Sequence, residues 1–270
     1  MTFAGDGSTF ESFDKDKRCF AGQTNNEGRI ETIKPTETGK LFLVSTPIGN
    51  LEDITLRALR ILKECDLVLA EDTRTTQRLL SHFGISNKIL SYYSYNELKR
   101  IPQIIEALNA GKNIALVSEA GTPLISDPGH KLVVAAIRNR MQVVPVPGAS
   151  AALAGAAASG LPTDRLVFEG FLPRKKGRQT RLSQLAAEEG TIIIYESALR
   201  IQKTIEDIVK IFGNRYIVLA RELTKMYEEF IRGFPEDILQ NLKERKLKGE
   251  IVLLVAGTKF QPNLNQKDEN

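Results

Sequence analysis

Short, continuous apolar runs alternate with amphipathic patterns along most of the chain. The apolar runs are rich in Val, Ile and Leu, and they span residues 41–44, 66–70, 113–118, 142–146, 165–169, 191–196, 216–220 and 250–256. A strand that is covered on both faces has such a run, because neither face meets water. Patterns with helical spacing separate the runs, at residues 51–64, 75–83, 97–110, 131–139, 149–159, 178–188, 199–211 and 235–247. This alternation predicts an α/β fold whose crossovers favour parallel strand pairing.

The length of the chain, 270 residues, suits one large domain or two ordinary ones. The segment Gly160-Leu161-Pro162-Thr163 follows an alanine-rich helical pattern, and glycine together with proline is typical of a hinge. We therefore predict an N-terminal α/β domain at 40–160 and a C-terminal α/β domain at 163–259. Segment 1–39 is polar and has no apolar core of signal-peptide length, so we predict a disordered leader there, and a polar tail at 260–270.

Composition argues against several classes of protein. The charge-free stretch 141–163 is long enough for a membrane span, but prolines and glycines interrupt it, so no span is predicted. Two cysteines (Cys19 and Cys65) cannot make a disulfide scaffold, and two histidines (His82 and His130) argue against a histidine-based metal site. This cysteine usage predicts a reducing compartment, the cytoplasm. The balance of 37 basic and 33 acidic side chains is compatible with nucleic acid binding but does not itself indicate it.

Glycine, proline and small residues gather where predicted strands of the N-terminal half end, at 45–50, 71–74, 118–129 and 147–151. In an open parallel sheet these strand ends form a crevice, the usual place for a ligand. Segment 118–129, SEAGTPLISDPG, is longer than a turn requires, and its glycines allow the backbone to approach a ligand closely; a long surface loop is the alternative. The chain has no GxGxxG, GxxxxGK[ST] or GxSxG motif, so no dinucleotide, phosphate-loop or serine-hydrolase site is predicted.

Charged segments follow other strands. Between residues 174 and 181 there are five cations and no acid, namely Arg174, Lys175, Lys176, Arg178 and Arg181. Cations at a helix start oppose the helix dipole, so this placement favours contact with phosphates; a solvated helix start is the alternative. Segments 71–74 and 221–225 instead combine acids with cations, a combination that structural ion pairs explain more often than catalysis does.

Several segments together resemble a known family. They are TPIGNLEDIT (46–55), AEDTR (70–74), SEAGTPLISDPG (118–129), VVPVPGASAA (143–152), EGFLPRKKG (169–177), YES (195–197) and ARELTK (220–225). Their order and spacing resemble the ribosomal RNA small subunit methyltransferase I family, in the tetrapyrrole-methylase class of S-adenosylmethionine enzymes. The resemblance runs from about residue 41 to 257. It implies a homodimeric class III methyltransferase with two α/β domains and the cofactor in the cleft between them. It also implies methyl transfer to a cytidine ribose 2′-oxygen in the decoding region of 16S ribosomal RNA.

The resemblance further implies that the backbone of segment 118–129 wraps the cofactor. The implied cofactor contacts are Pro47, Ser118, Glu119, Ala120, Gly121, Ile125, Ser126, Ser150 and Ala151, with Phe171, Tyr195, Ala220 and Gly249 from the second half. The chain departs from the family at Glu119, where members usually have Asp, and at Tyr93 and Tyr95, in a block where members commonly carry histidines. Tyrosines there suit stacking on RNA bases, so the predicted RNA contacts are Tyr93, Tyr95, Arg74 and the five cations of 174–181.

A ribose hydroxyl is a weak nucleophile that must lose its proton during attack, so a base is expected near it. The candidates are Glu71, Asp72, Glu222 and Lys225, which the sequence does not rank. Two other functions stay open. One is methylation of a small molecule, such as a tetrapyrrole, by the same fold. The other is a non-catalytic RNA-binding role on the small subunit, against which the glycine-lined strand ends count, because an adaptor needs no crevice.

Overall fold

The computed structural model describes residues 38–245 and 247–262, together with the backbone of two short strands nearer the N-terminus. These strands, β1 (Gln23–Thr24) and β2 (Ile30–Glu31), pair antiparallel. The rest of the predicted disordered leader, and the predicted tail from residue 263 on, lie outside the described residues. The chain divides into two compact units, Met1–Thr38 and Gly39–Asn270, and the second unit holds all the elements that follow.

The N-terminal half of this unit holds a sheet in which every strand runs parallel to its neighbours. Its strands are β3 (Lys40–Val44), β4 (Leu67–Ala70), β5 (Ile89–Ser91), β6 (Ile114–Val117) and β7 (Gln142–Val146). Their order across the sheet is β5-β4-β6-β3-β7. The central strand β6 is buried at every residue, which explains its uninterrupted apolar run. The predicted α/β class with a parallel sheet is confirmed.

Helices cover both faces of this sheet. They are α1 (Leu56–Glu64), α2 (Thr73–His82), α3 (Glu97–Asn109) and α4 (His130–Arg138), and a short 3₁₀ helix (Leu51–Asp53) precedes α1. The buried residues of α1 and α2 pack in one apolar cluster, and those of α3 and α4 pack in another on the opposite face. Thr55 and Asp72 begin α1 and α2 by accepting hydrogen bonds from backbone N–H groups of the first turn.

The C-terminal half holds a second sheet, and its pairing differs from the prediction. Its strands are β8 (Leu166–Phe171), β9 (Thr191–Ser197), β10 (Ile217–Arg221), β11 (Glu229–Gly233) and β12 (Glu250–Val255), in the order β11-β10-β12-β9-β8. Only β8 and β9 pair parallel; the other pairs are antiparallel. The expectation of parallel pairing was wrong for these strands because β12 inserts between β9 and β10, and β11 folds back on β10 through a short connection.

Both faces of the second sheet are covered as well, which is why its inner strands also read as continuous apolar runs. On one face lie α6 (Arg178–Leu185), α7 (Ile201–Phe212) and α8 (Pro235–Glu244). On the other lies α5 (Ala151–Ser159), whose small residues bring it close to the sheet. A Cβ at Gly155 would stand 3.3 Å from the side chain of Val252, so only the smallest side chains fit at this contact.

The charge-free stretch 141–163 therefore contains strand β7 of the first sheet and helix α5, which packs on the second sheet. In the two described ranges, 38–245 and 247–262, no helix is both long and apolar enough to cross a membrane. Gly160 ends α5 in a left-handed conformation, with φ of 80°, which glycine adopts without steric cost. The division into domains at 160–163 stays a prediction, because α5 precedes this point in the chain yet helps to cover the second sheet.

Candidate functional site

Hydrogen bonds join the segments that follow β3, β6 and β7, at the carboxyl ends of these parallel strands. Thr46 and Gly121 exchange two backbone hydrogen bonds, with N···O distances of 2.9 and 3.0 Å. The hydroxyl of Ser45 lies 3.2 Å from that of Thr122, which in turn donates to the carbonyl of Ala149 at 3.2 Å. The strand-end segments 45–50, 118–129 and 147–151 thus meet, as expected for the carboxyl ends of parallel strands.

The segment 118–129 is held in an unusual backbone conformation. Leu124 and Ser126 both have φ of 71°, a left-handed value that side chains other than glycine rarely adopt. Gly121 has φ of 85°, and a Cβ there would meet the side chain of Ile48 at 3.3 Å. Glycine at 121 therefore supplies a backbone angle and also lets the segment lie against the end of β3.

A cavity of about 430 Å³ opens beside this segment, with walls from both halves of the chain. The predicted cofactor contacts in its wall are Glu119, Ala120, Gly121, Ile125, Ser126, Ser150, Ala151, Phe171, Tyr195 and Ala220. Glu222 and Lys225, predicted as catalytic candidates, line it as well. The wall thus brings together residues from Ile48 to Val252, which lie about two hundred positions apart in the chain.

Three predicted cofactor contacts lie behind the cavity wall rather than in it. Ser118 is buried, and its hydroxyl donates to the carbonyl of Gly121 at 2.8 Å, which helps to hold the segment. Gly249 faces Glu222, and a Cβ at this glycine would overlap the Glu222 carboxylate. Pro47 is half-buried beside Ile48, and the side chain of Ile48 lines the cavity instead. These three residues do not line the cavity, so their role as cofactor contacts stays a prediction.

Aromatic side chains form part of the cavity wall. Tyr195 meets Phe168 and Phe171 edge to face, with ring centroids 5.1 and 5.6 Å apart. The Tyr195 hydroxyl accepts a hydrogen bond from the backbone N–H of Ala152, in the first turn of α5, at 3.2 Å. Burial, with a further contribution from the charge of Asp127, raises the pKa of Tyr195. Tyr195 therefore stays a neutral phenol that joins the second sheet to the start of α5.

The predicted bases Glu222 and Lys225 form one ion-pair cluster. Lys225 Nζ lies 3.0 Å from Glu222 Oε1 and 3.0 Å from Glu250 Oε2. Burial alone would raise the pKa of Glu222, but hydrogen bonds from the Glu250 N–H and from Lys225 lower it. Burial alone would lower the pKa of Lys225, but the two carboxylates raise it. Both groups are therefore charged at neutral pH, and a protonated lysine cannot accept a proton.

The other predicted bases, Glu71 and Asp72, have different surroundings. Asp72 caps α2, accepting hydrogen bonds from the backbone N–H groups of Arg74 at 2.7 Å and Thr75 at 3.4 Å, and the first of these bonds does most to lower its pKa. Glu71 is exposed and lies outside the cavity wall. Its carboxyl group is nonetheless partly covered, and this desolvation, followed by repulsion from Glu119, raises the pKa of Glu71.

Asp127 is an acid of the cavity wall that the sequence analysis did not single out. Burial, followed by repulsion from Glu71 and Glu119, raises the pKa of Asp127 to about 6. Its carboxylate has no hydrogen bond or ion pair with any residue in the described ranges. The sequence shows Asp127 only as an acid in a glycine-rich segment after a strand, whereas its raised pKa depends partly on Glu71, which is far away in sequence.

No group of His, Cys, Asp or Glu within the described residues is arranged to hold a metal ion.

The basic stretch 174–181 divides into two kinds of side chain. Arg174, Lys175 and Lys176 are exposed and make no ion pair with another described residue. Arg178 is mostly covered by α7, where its Nε donates to Asp207 at 2.9 Å and its Nη2 to Thr204 at 2.8 Å. The contact of Arg178 with RNA stays a prediction, which the pairing of this guanidinium with Asp207 and Thr204 does not favour. Arg181 forms a bidentate salt bridge with Glu169, which largely neutralises its charge.

The remaining predicted RNA contacts are exposed near the start of α2 and before α3. Arg74 lies in the first turn of α2, and Tyr93 and Tyr95 have ring centroids 6.5 Å apart. The Tyr95 side chain is almost fully exposed, while Tyr93 is partly covered. Buried Glu97 links this tyrosine segment to the end of segment 118–129, because its Oε1 accepts from the Tyr92 hydroxyl at 2.9 Å and from the Gly129 N–H at 3.2 Å.

Comparisons with known proteins agree with this architecture. A chain titled cobalt precorrin-4 methyltransferase, a cobalamin biosynthetic enzyme, superposes with a TM-score of 0.61 and 19% identity, covering 80% of this chain and 94% of that one. At this identity the likeness shows the fold alone. The family model of tetrapyrrole (corrin/porphyrin) methylases matches residues 40–239.

Two curated relatives are much more similar in sequence. The ribosomal RNA small subunit methyltransferase I of Halalkalibacterium halodurans is 50% identical over 222 residues, which cover 82% of this chain and 77% of that protein. The protein of the same name from Thermotoga maritima is 46% identical over 219 residues, which cover 81% of this chain and 99% of that one. The chain therefore belongs to the tetrapyrrole (corrin/porphyrin) methylases and, among them, to the ribosomal RNA small subunit methyltransferase I family.

Proposed function

We propose that this protein methylates the RNA of the small ribosomal subunit with S-adenosylmethionine as the methyl donor, and that the acceptor is a cytidine ribose 2′-oxygen. The observation that carries the proposal is that six of the seven segments that resemble the family, all except 70–74, contribute residues to the wall of one cavity. Relatives at 46–50% identity are named for methylation of this RNA. The finer assignment, to cytidine and to the 2′-oxygen in the decoding region, follows the family resemblance.

The cavity suits the cofactor in size and chemistry. Its volume of about 430 Å³ is in the range that holds small organic ligands. Apolar groups such as Ala220 and Val252 offer a surface for a flat base, and the backbone of segment 118–129 offers hydrogen-bonding groups beside it. Glu119 and Asp127 add negative charge, which favours a cationic ligand. When bound, the cofactor supplies an electrophilic methyl group on a positively charged sulfur.

The contribution of the protein is then mainly to position the acceptor. Holding two reactants in line contributes roughly 7–11 kcal/mol to lowering a barrier. The walls of the cavity combine segments that follow strands of the first sheet with strands of the second sheet, and the bond between Tyr195 and Ala152 holds the start of α5 against the second sheet. Phe171 and Tyr195 add an aromatic surface to the same wall, and Phe168 packs against Tyr195.

RNA would be held outside the cavity by charge and by stacking. Arg174, Lys175 and Lys176 present three unpaired cations on the segment that follows β8, and β8 ends at Phe171 in the cavity wall. Tyr93 and Tyr95 present an aromatic surface for an unstacked base. The family resemblance also supports two further proposals, a homodimer and a cytoplasmic location.

Replacing Arg174, Lys175 and Lys176 together by Gln should weaken RNA binding at low salt. Each lost contact with single-stranded RNA flattens the slope of log K against log salt by ~0.7, so the triple variant should lose up to ~2 units of slope. Fluorescence titration with labelled ribosomal RNA at several salt concentrations measures this slope. The matched control changes Lys63, Lys88 and Lys112 to Gln; these exposed lysines precede β4, β5 and β6, at the opposite edge of the sheet. An equal loss of slope in both variants would contradict the proposed RNA surface.

The choice between RNA and a tetrapyrrole is tested by supplying both. We expect label from methyl-labelled S-adenosylmethionine to enter the RNA of small ribosomal subunits that lack the modification. We expect none to enter uroporphyrinogen or the RNA of large subunits. Transfer to the tetrapyrrole without transfer to RNA would contradict the proposed function and favour a small-molecule methylase. Cofactor binding without transfer to any of them would contradict it as well.

A further inference from the structure

The proposed reaction needs a group that accepts the proton of the attacking hydroxyl, and most acids of the cavity wall are already engaged. Glu222 and Glu250 both bind Lys225. Glu196 is buried and binds Arg200 at 3.0 Å and the Thr204 hydroxyl at 2.8 Å. Within the described residues, only Glu119 and Asp127 of these wall acids have no hydrogen bond or ion pair.

Asp127 differs from Glu119 in how firmly it is held. Glu119 is exposed, whereas Asp127 is half-buried in the wall of the cavity. On one side Ser126 packs so closely against Gly170 of β8 that a Cβ on this glycine would stand 2.8 Å from the Ser126 hydroxyl. On the other side the N–H of Gly129 donates to the buried carboxylate of Glu97. Asp127 therefore lies between Ser126, which packs against β8, and Gly129, which is hydrogen-bonded to Glu97. Its carboxylate lines the cavity without a hydrogen bond or ion pair among the described residues.

We propose that the carboxylate of Asp127 accepts the proton from the ribose 2′-hydroxyl during methyl transfer. This inference rests on the proposed function. The 2′-oxygen gains the methyl carbon as its O–H bond breaks, the proton passes to an oxygen of Asp127, and the electron pair of the broken carbon–sulfur bond stays on sulfur. Asp127 afterwards releases the proton to water, which restores the carboxylate.

The charges around Asp127 suit this role. It faces Glu71 at the end of β4, Glu119 on its own segment and the phenol of Tyr195 on β9. Burial and the two carboxylates raise the pKa of Asp127 to about 6, which is close to neutral pH. A base is most effective there, because it is mostly ionised yet binds a proton more strongly than an ordinary carboxylate does.

The test compares Asp127→Asn with Asp237→Asn, an identical change at an exposed position on α8. With small ribosomal subunits as substrate, we expect Asp127→Asn to lower kcat by about 10²–10⁴-fold, the range for loss of a general base. Affinity for S-adenosylmethionine, measured by calorimetry, should change by less than about tenfold. Asp237→Asn should match the wild type in both measurements. A kcat for Asp127→Asn within about threefold of the wild-type value would overturn the proposal.

Two further measurements do not depend on turnover. The carboxyl carbon of Asp127, identified by its absence in Asp127→Asn, should titrate by NMR with a midpoint of about 6 in the protein alone. Glu71→Gln should move this midpoint, and the acid limb of the rate profile, to lower pH, because one repelling charge is gone. A midpoint near that of an ordinary aspartate would overturn the proposal.

Folding is checked by thermal unfolding at two pH values. The raised pKa of Asp127 means that its ionisation costs stability above pH 6 and not at pH 4, so Asp127→Asn should unfold at a higher temperature than the wild type only at the higher pH.

Failure of the inference is distinguishable from failure of the proposed function. An active wild type with an active Asp127→Asn variant overturns the inference alone, whereas a wild type that methylates no ribosomal RNA overturns both.

Discussion

Replacing Arg178 by Ala is expected to lower the free energy of unfolding by about 2–4 kcal/mol. Removing one partner of a buried ion pair leaves the other charge without compensation and typically costs 3–5 kcal/mol. Both side chains are enclosed here, with Arg178 11% and Asp207 4% exposed. We expect a loss at or somewhat below the low end of this range, because Lys203 also binds Asp207, at 2.9 Å, and partly compensates its charge. Urea unfolding followed by circular dichroism measures the change.

Two comparisons make this result specific. Lys203→Ala removes the exposed partner of the same aspartate and should cost less than about 1 kcal/mol. The salt slope of RNA binding by folded Arg178→Ala should equal that of the wild type, because the Arg178 guanidinium is already bound to Asp207 and Thr204. An Arg178→Ala variant of unchanged stability whose RNA slope falls by ~0.7 would restore Arg178 to the RNA surface.

Replacing Gly249 by Ala is expected to damage both stability and cofactor binding. The new Cβ would overlap the carboxylate of Glu222, which must then leave its bonds to Lys225 and to the Glu250 N–H. Gly249 also has φ of 90°, where a side chain is strained. Strain and lost hydrogen bonds together should cost about 2–4 kcal/mol. Affinity for S-adenosylmethionine should fall at least about tenfold, since Glu222 and Lys225 line the cavity.

Gly84→Ala is the matched control for strain alone. Gly84 has φ of 63°, and a Cβ there would have no atom within 4 Å, so only the backbone penalty of about 1–2 kcal/mol should appear. Its cofactor affinity should match the wild type. Equal cofactor affinity of Gly249→Ala and Gly84→Ala would contradict a contribution of the Glu222–Lys225 ion pair to cofactor binding.

Much of the fold could be predicted from the sequence because burial on both faces leaves a strong local pattern. Strands such as β6 are buried throughout and appear as unbroken apolar runs. Strands β5 and β11 were missed, since both lie at sheet edges and are only partly buried, and β5 has three residues. Strand direction was not predictable either, because β9, β10 and β12 carry the same apolar pattern in antiparallel pairs.

The site was predictable to the extent that it depends on segments close in sequence. Segment 118–129 was identified because its length and glycines differ from those of an ordinary turn. The pairing of Arg178 was not predictable because its partner Asp207 lies 29 residues away, on another helix. Asp127 was missed for the same reason, since its properties depend on Glu71, which only the fold brings near. Charges that interact across elements leave no local signal in a sequence.

The most direct test of the proposed function is mass spectrometry of nucleosides from small-subunit RNA after reaction with the protein and S-adenosylmethionine. Complete digestion separates cytidine methylated on the ribose from cytidine methylated on the base. The proposed function predicts that 2′-O-methylcytidine increases in RNA from subunits that lacked it, and that no increase occurs without the cofactor. Methyl groups found only on a base, or no new methylated nucleoside in the RNA of any assembly state of the subunit, would contradict it.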